Sequence, residues 1–385
     1  MRKFYALASL WLLPTVTNLA SSLPTSANES RLIKTDLVTV TLEKMYSGLD
    51  TPWAIALLPD NRLLVTQRDG ELVLLDPNNP LEKKRITGLP EITAKGQGGL
   101  LDVVLDTDFT TNKTIYFTFS HAEAPGKVGT AIAKANLNLT SEPKLENLKI
   151  LYSMSMKDNS GRHFGSRIVQ AKDGTLFFTI GDRGTQPRAQ DPFDPAGSVI
   201  RINTDGTIPA DNPDPQGKNM LPEIWSIGHR NAQGATLNPV THELWTISHG
   251  AKGGDEINIP QSGKNYGWPT ISYGRNYSGS KIGVGQKAPG LEQPIYYWDP
   301  SIAPSGADFH KGKTIPEWTG NLFVGALKDQ SLIRLTIKDN TVIEEERLFE
   351  NELGRIRDVR YMHDGALWIA TNDGDGSIYR ILSAP

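Results

Sequence analysis

The chain has 385 residues, of which 38% are hydrophobic, and a formal net charge of −3. This length and apolar content can supply a substantial core, whereas the weak net charge gives no field that would attract nucleic acid or an anionic membrane. No basic run or aromatic-basic stripe is present either, so we expect no nucleic-acid partner. Cysteine is absent, which excludes disulfides, thiolate metal ligands and cysteine nucleophiles.

The N-terminus has the pattern of an export signal. Arg2 and Lys3 precede an apolar stretch over 4–16, and small residues follow through Ala27. This pattern predicts a signal peptide over 1–27 and a single mature domain over 28–385. An uncleaved anchor is the alternative, although the apolar run is short for a bilayer span and no other stretch is long enough. We therefore predict a periplasmic or secreted bacterial protein without stable membrane insertion.

After a polar tail, one pattern recurs: a turn rich in Asp, Asn or Gly, a short apolar strand, and then a second apolar strand. The predicted strand pairs are 62–66 and 72–75, 114–119 and 130–135, 175–180 and 198–202, 243–248 and 256–259, 321–326 and 331–337, and 366–370 and 377–381. A spacing of roughly fifty residues is typical of propellers and solenoids. We predict an all-β fold, a six-bladed β-propeller with four strands per blade. A large β-sandwich or two β-domains are the alternatives.

Another strand-like segment precedes each turn, and we expect it to be the innermost strand of its blade. Five of the six segments begin with a polar or charged side chain. In a propeller, such strand starts converge at one mouth of the central channel. The residues expected to face one cavity at this mouth are Gln97, His163, Arg230, Asn231, Arg355 and Arg357.

The residue types at this mouth indicate a base for a substrate hydroxyl and, separately, the binding of a polyanionic ligand. His163 is the candidate general base, because imidazole titrates near neutrality; a structural hydrogen-bonding role is the alternative. Arg230, Arg355 and Arg357, joined by Lys328, would bind carboxylates or phosphates. The alternative for each cation is a local carboxylate partner such as Asp358.

The stretch from Ile227 to Pro269 combines glycines, charges and amides. Gly250 and Ala251 follow a predicted strand, and the acidic pair Asp255-Glu256 comes shortly after. Main-chain carbonyls and carboxylates suit Ca²⁺, but the spacing is not that of an EF-hand, so this indication of a metal is weak on its own. The sequence has no Gly-x-Ser-x-Gly elbow, Walker loop or Rossmann fingerprint in a βαβ context.

Nine motifs follow one another in an order and spacing that can be compared with known families. They are Thr-Pro-Trp-Ala (51–54), Gly-Gln-Gly-Gly-Leu-Leu-Asp (96–102), His-Phe-Gly-Ser-Arg (163–167), Gly-His-Arg-Asn-Ala-Gln-Gly (228–234), Gly-Gly-Asp-Glu-Ile-Asn (253–258), Asn-Tyr-Gly-Trp-Pro (265–269), Ile-Ala-Pro-Ser-Gly (302–306), Ala-Leu-Lys (326–328) and Gly-Arg-Ile-Arg-Asp-Val (354–359). This series resembles the soluble PQQ-dependent aldose sugar dehydrogenases, which are relatives of the soluble quinoprotein glucose dehydrogenase. The resemblance covers nearly the whole mature chain.

The resemblance implies a six-bladed propeller that holds pyrroloquinoline quinone (PQQ) and Ca²⁺ at the channel mouth. By matching position, His163 resembles the base that takes the anomeric hydroxyl proton as the C1 hydride of an aldose passes to the quinone. Arg230 resembles the residue that binds the cofactor and stabilises charge on its oxygen. The other positions that match cofactor-holding residues are Gln97, Asn231, Lys328, Arg355 and Arg357.

The metal and substrate positions also follow only from the resemblance. Gly250 and Ala251 match the pair whose main-chain carbonyls bind the cofactor's Ca²⁺. Glu256 and Tyr266 match a second, structural Ca²⁺ site. Trp298, together with Gln97, is expected to flank the sugar.

Two departures from the glucose dehydrogenase pattern favour the aldose branch of the family. Ala251 stands where those relatives often have proline, and Arg162 stands where they have aspartate before the catalytic histidine. The loops also look shorter, which predicts an open site and broad sugar specificity. The expected enzyme oxidises aldoses to lactones and passes electrons to a soluble or membrane acceptor. The alternatives are a non-enzymatic ligand-binding propeller and a Ca²⁺-dependent lactonase-like hydrolase.

Overall fold

A computed structural model describes residues 29–385 of the chain, so the predicted signal peptide over 1–27 lies outside the described residues. Between Glu29 and Pro385, no helix is long and apolar enough to cross a membrane.

Regular structure in the described part is almost entirely β. The one helix, α1 (Phe109–Asn112), and two 3₁₀ turns, Gln186–Gln190 and Pro316–Trp318, are short. The strands are β1 (Ser30–Lys34), β2 (Thr39–Leu49), β3 (Pro52–Leu57), β4 (Leu63–Gln67), β5 (Glu71–Asp76), β6 (Asn79–Ile86), β7 (Leu100–Leu105), β8 (Thr114–Ala124), β9 (Lys127–Asn138), β10 (Lys144–Ser153), β11 (Ile168–Gln170), β12 (Leu176–Ile180), β13 (Ser198–Ile202), β14 (Ile224–Ser226), β15 (Ala232–Leu237), β16 (Leu244–Ser248), β17 (Asp255–Asn258), β18 (Tyr296–Trp298), β19 (Pro304–Phe309), β20 (Leu322–Ala326), β21 (Leu332–Lys338), β22 (Thr341–Leu348), β23 (Ile356–Tyr361), β24 (Leu367–Thr371) and β25 (Gly376–Ser383).

These strands form six antiparallel sheets, which confirms the predicted all-β, six-bladed β-propeller. Blade 1 is β3–β6, blade 2 is β7–β10, blade 3 is β11–β14, blade 4 is β15–β18 and blade 5 is β19–β22. Blade 6 has the order β1-β2-β25-β24-β23.

The N-terminal segment closes the propeller with two strands, β1 and β2, which the repeat pattern did not predict. β2 pairs with the C-terminal β25, with Val40 opposite Ser383 and Leu42 opposite Ile381. Val40 and Leu42 are buried between blades 5 and 6. Both ends of the chain therefore contribute to one sheet.

The turn between the first two strands of several blades is built by the same side-chain bond. Asp60, Asp173 and Asp364 each accept a hydrogen bond from the main-chain N–H two residues later, at 2.9 to 3.1 Å. Aspartate and asparagine favour such turns because their short side chains can bond nearby backbone. The repeated Asp/Asn/Gly turns in the sequence thus mark one structural position in successive blades.

The first strands of the blades surround the channel. β3 contacts β7 and β23, β11 contacts β7 and β15, and β19 contacts β15 and β23, which completes a ring. The core consists of apolar layers between neighbouring blades; the layer between blades 1 and 2, for example, includes Leu64 and Phe117. Because both faces of each sheet are covered, middle strands such as β4 are buried along their whole length.

Candidate active site

One end of the channel holds a cavity of about 200 Å³ to which every blade contributes. Its lining includes Trp53 of blade 1 and the segments that enter the inner strands of the other five blades. Those lining residues are Gln97, Phe164, Asn231, Ala303 and Arg355. Arg357, Gln233, His249, Arg68 and Asn372 complete much of the wall. The structure therefore brings Gln97, Asn231, Arg355 and Arg357 together at one mouth, whereas His163 and Arg230 are not among the residues that line the cavity.

His163 lies beside this cavity in a segment that is fixed from several sides. Its Nδ1–H donates to Oδ1 of Asp182 at 2.5 Å, and its main-chain N–H donates to Oε1 of Gln97 at 2.7 Å. Two residues on, the N–H of Gly165 donates to Oδ1 of Asn231 at 3.1 Å. The His163 side chain is 12% exposed, whereas Asp182 is almost completely buried. Because Nδ1 is used by Asp182, Nε2 is the ring atom available to a ligand.

The surroundings of His163 favour the neutral, basic imidazole. Burial lowers the pKa of His163, and the positive charges of Arg230 and Arg183 lower it further, against the opposing effect of the Asp182 bond. Asp182 remains ionised, because its hydrogen bond from His163 and the charge of Arg230 outweigh burial and lower its pKa. Trp268 also donates its indole N–H to Oδ2 of Asp182 at 2.8 Å.

The arginines of the mouth bond to neutral oxygens and so keep their positive charge available. Arg230 donates to the His249 carbonyl at 3.2 Å and lies over the Trp268 ring, 5.3 Å from its centre. Arg355 donates to the Leu327 carbonyl at 3.1 Å. These contacts leave both charges uncompensated by the groups they touch.

Arg357 is held in the same way. It donates to Oε1 of Gln233 at 2.8 Å, and the Asn372 amide, with its oxygen turned toward the guanidinium, accepts at 3.0 and 3.1 Å. Burial lowers the pKa of Arg357 to about 9, and the nearby cations Arg167, Arg355 and Arg68 act in the same direction. Asp358 is not its partner, because that carboxylate pairs with Arg167 and Arg360 instead.

The loops that carry Lys328 and Gly250 meet at one buried carboxylate, Asp255. Asp255 accepts from the N–H groups of Gly250, Ile302 and Ala303 at 2.7 to 3.1 Å. Lys328 donates from Nζ to the neighbouring carbonyl of Ser301 at 2.7 Å, lies 3.9 Å from Oδ1 of Asp329 and is largely exposed. The two loops that carry these predicted site residues therefore form one unit.

The turn at Gly250 accepts only glycine. A Cβ added there would lie 2.2 Å from the Gly253 carbonyl oxygen and 2.4 Å from that of Gly254. Ala251 next to it is buried against Ala189, Trp268 and Ile282. The turn is thus packed so tightly that main-chain atoms form its inner surface, and main-chain carbonyl oxygens are hard donors that suit Ca²⁺.

Glu256 and Tyr266 engage different partners in the structure. Glu256 accepts from the Asn258 amide at 3.2 Å, and burial raises its pKa to about 7. The Tyr266 hydroxyl donates to the Ile259 carbonyl at 2.5 Å and accepts from the Gln261 N–H at 3.0 Å. Between Glu29 and Pro385, no group of three or more His, Cys, Asp or Glu side chains is arranged to hold a metal.

Trp298 is not among the residues that line the cavity, and its expected place beside a sugar stays a prediction. It lies on β18, the outermost strand of blade 4, and is 4% exposed. Its indole N–H donates to Glu345 of blade 5 at 2.7 Å. The side chain is therefore part of the packing between two blades.

Several residues of the mouth lie at the ends of second strands and not at the starts of inner strands. Asp182 and His249 come directly or shortly after the second strand of a blade, and Asn372 follows β24 in the same way. Second strands run toward the mouth, so their ends converge there as the starts of the inner strands do. The Gly-Asp-Arg-Gly turn (181–184) was the available sequence signal for Asp182.

A basic imidazole on a buried carboxylate, beside a cationic cavity in a propeller, defines a site for proton removal next to an anionic ligand. The model of the Glucose / Sorbosone dehydrogenase family matches residues 49–380. The chain therefore belongs to this family, and the resemblance and the enzyme class predicted from the sequence, a sugar dehydrogenase, are confirmed.

Individual relatives agree with this placement. The chain is 41% identical over 346 residues to the aldose sugar dehydrogenase YliI of Escherichia coli, covering 89% of this chain and 93% of the relative. The crystal structure of the soluble aldose sugar dehydrogenase from Escherichia coli in the apo-form has a TM-score of 0.86 and 40% identity, covering 90% of this chain and 100% of the other. Quinoprotein glucose dehydrogenase B of Acinetobacter calcoaceticus is 27% identical over 431 residues, covering 89% and 88%.

Proposed function

We propose that this protein oxidises aldose sugars at C1 to lactones, with PQQ as the hydride acceptor and His163 as the general base. The observation that carries the proposal is the pairing of His163 with Asp182 beside Arg230. In the same region the guanidinium groups of Arg230 and Arg357 donate to neutral oxygens, which leaves their charges available to a ligand. The names of the relatives support the substrate class and the quinone cofactor.

The residues of the cavity suit a compact polyanion such as PQQ, which is a tricarboxylate. Arg357 and Arg355 would bind its carboxylates as charge-assisted partners, because their guanidinium groups have no stronger acceptor in their present bonds. Gln97 and Asn231 would complete the binding with the amide groups that they direct at this mouth. The carbonyls of Gly250 and Ala251 would hold Ca²⁺, whose remaining ligands would come from the cofactor and water.

When bound, PQQ supplies the electron-pair acceptor and Ca²⁺ polarises it as a Lewis acid. His163 accepts the proton of the anomeric hydroxyl at Nε2, because Nδ1 is committed to Asp182. Asp182 fixes the tautomer and stabilises the imidazolium that forms. Arg230, held at the His249 carbonyl, places a positive charge where negative charge develops. Broad sugar specificity is part of the proposal, because the loops are expected to be shorter than those of glucose dehydrogenase relatives.

The two alternative functions are less consistent with the site. A ligand-binding propeller has no need of a buried carboxylate that orients an imidazole. A lactonase-like hydrolase would use channel carboxylates as metal ligands, but Asp102 and Asp358 are engaged by Arg167 and Arg360. Both carboxylates are thus neutralised by cations of the channel itself.

We also propose that the chain is exported to the periplasm by its N-terminal signal and passes electrons there to a soluble or membrane acceptor. The proposal rests on the sequence of residues 1–27. N-terminal sequencing of protein from a periplasmic fraction tests it; a mature chain that retains Met1 contradicts it.

The proposed reaction is tested with protein purified without cofactor. PQQ and CaCl₂ are added separately and together, and reduction of an artificial dye is measured with several aldoses. We expect sugar-dependent reduction only with both additions, and a change in the PQQ absorption spectrum on binding. No dye reduction with any aldose together with an unchanged PQQ spectrum would contradict the proposal, and hydrolysis of a lactone without PQQ would favour the hydrolase.

A further inference from the structure

The residue after Asp182 is a buried arginine to which the reaction assigns no role. Arg183 has no exposed surface and a positive φ of 59°, a conformation that non-glycine residues rarely adopt. Its guanidinium lies 3.7 Å from the centre of the Phe164 ring. The strand end that carries it is also close to the base, since a Cβ at Gly181 would lie 2.3 Å from the carbonyl oxygen of His163.

The donors of Arg183 converge on the chain segment that leads into His163. Nη1 donates to the Arg162 carbonyl at 2.5 Å, and Nη2 donates to the Ser160 carbonyl at 2.6 Å. Nη2 also approaches the Val128 carbonyl and Oδ1 of Asp158, both at 3.3 Å. The planar guanidinium of Arg183 therefore binds two main-chain carbonyls just before His163 with its edge. Its face covers the ring of Phe164, the residue just after His163.

The neighbours Asp182 and Arg183 thus hold His163 from two directions. Asp182 binds the imidazole, and Arg183 binds the main chain around it. The His163 backbone has φ of 50°, and such strained positions persist only where surrounding contacts determine them. The Arg162 side chain is exposed, so this residue helps to hold His163 only through its main-chain carbonyl. The side chain at this position, which differs from the aspartate expected in glucose dehydrogenase relatives, takes no part in that contact.

We propose that Arg183 is a positioning residue that fixes the main chain over 160–164 and thereby keeps the His163 imidazole in its reactive place beside the cavity. This proposal rests on the proposed role of His163 as the base. A lysine cannot replace Arg183 fully, because one ammonium group lacks the planar fork that reaches both carbonyls.

The test compares Arg183→Met and Arg183→Lys with a matched control, Arg201→Met. Arg201 is a buried arginine of the same blade that bonds Asp173 and Asp211 and lies over Phe177 and Trp225, at the other end of the sheet. We expect Arg183→Met to lower kcat by about 10- to 100-fold, with KM for the sugar changed by less than about threefold, since small displacements of a catalytic group cost rates of this order. Arg183→Lys should lower kcat less, and Arg201→Met should leave kcat unchanged.

A second measurement does not depend on the reaction. The imidazole signals of the cofactor-free protein are titrated by NMR, and the His163 signal is assigned by its loss in His163→Asn. The groups facing this imidazole are Asp182, Arg230 and Arg183, so loss of one positive charge should raise the His163 pKa in Arg183→Met but not in Arg183→Lys.

The outcomes separate this proposal from the proposed function. If the wild type oxidises no sugar, the function fails, but a displaced His163 imidazole signal in Arg183→Lys, which keeps the positive charge, still supports the positioning role. An Arg183→Met protein with unchanged kcat and an unchanged His163 titration overturns it. An equal loss of kcat in Arg201→Met would also overturn it, because the effect would then be a general loss of packing. If Arg183→Met does not fold, Arg183→Lys decides by its kcat.

Discussion

The two nitrogens of the His163 ring have different roles: Nδ1 binds Asp182, and Nε2 is available to a substrate. The groups around the ring favour its neutral form. Nδ1 is bonded to a carboxylate that stays ionised, while burial and nearby arginines oppose the charged imidazolium. The sequence could place His163 at the mouth because it stands before an inner strand. It could not show the bond to Asp182, which lies 19 residues further on and on another strand end.

The pH dependence of the reaction should reflect the lowered pKa of His163. A base acts when it is neutral, so kcat/KM should fall as the pH is lowered through a value below the ordinary 6.5. Asp182→Asn removes a contact that raises the His163 pKa, so the fall of kcat/KM on the acid side of the profile should move to lower pH. The same change should slow turnover, because it removes the group that orients the imidazole. The measurement is kcat/KM from pH 4.5 to 8 at saturating PQQ and Ca²⁺. An acid limb above 6.5 in the wild type would show that another group controls the rate.

Replacement of the base tests its assigned task directly. We expect His163→Ala to reduce kcat by about 10³-fold, which is within the usual contribution of a general base. Cofactor binding should persist, because the arginines of the mouth remain. Titration of PQQ by its absorption change measures binding separately from turnover. Weakened binding with an unchanged kcat would reverse the assignment.

Among the elements, the inner and middle strands were predictable and the outer ones were not. The predicted segment 198–202 coincides with β13, because middle strands are covered on both faces and form short, continuous apolar runs. Outer strands lack this signal: β6 is exposed along most of its length, and β14 has only three residues. β2 alternates buried and exposed residues, but its partner β25 is at the other end of the chain.

The closure of blade 6 makes a prediction about two leucines near the N-terminus. Leu42 of β2 is 2% exposed and lies between blades 5 and 6, whereas Leu32 of β1 is 64% exposed. Leu42→Ala should lower the free energy of unfolding by about 2 to 5 kcal/mol, as for other buried leucines. Leu32→Ala should change it by about 0.5 kcal/mol or less. Urea unfolding followed by tryptophan fluorescence measures both; equal small effects would mean that β2 does not close the ring.

On the scale of the whole molecule, the site exists only when all six blades are assembled, since each contributes to one cavity. The recurrence of polar residues at the starts of most inner strands made it possible to predict that distant residues, such as Gln97 and Arg357, share this cavity. It could not distinguish cations left free for a ligand from cations paired within the channel. That distinction depends on side-chain partners that only the folded ring brings together.

Arg357 and Arg360 lie on the same strand, β23. Replacement by methionine should affect the stability of the cofactor-free protein strongly at Arg360 and weakly at Arg357. Arg360 pairs with Asp102 and Asp358, so Arg360→Met leaves two buried carboxylates short of a partner and should destabilise the cofactor-free protein by about 3 to 5 kcal/mol. Burial and the neighbouring cations Arg167, Arg355 and Arg68 disfavour the charge of Arg357 and lower its pKa to about 9. Arg357→Met should therefore change the stability of the cofactor-free protein by less than about 1 kcal/mol.

The addition of PQQ and Ca²⁺ should then separate the two variants further. A ligand that binds only the folded state raises the melting temperature, and at a fixed ligand concentration it does so more when it binds more tightly. Arg357→Met should lose much of this increase, because the variant lacks a cation that would bind a cofactor carboxylate, whereas Arg360→Met should keep it. Thermal melts with and without the cofactor give both quantities. A full PQQ-dependent increase in Arg357→Met, or a large loss of its cofactor-free stability, would mean that Arg357 serves the fold and not the ligand.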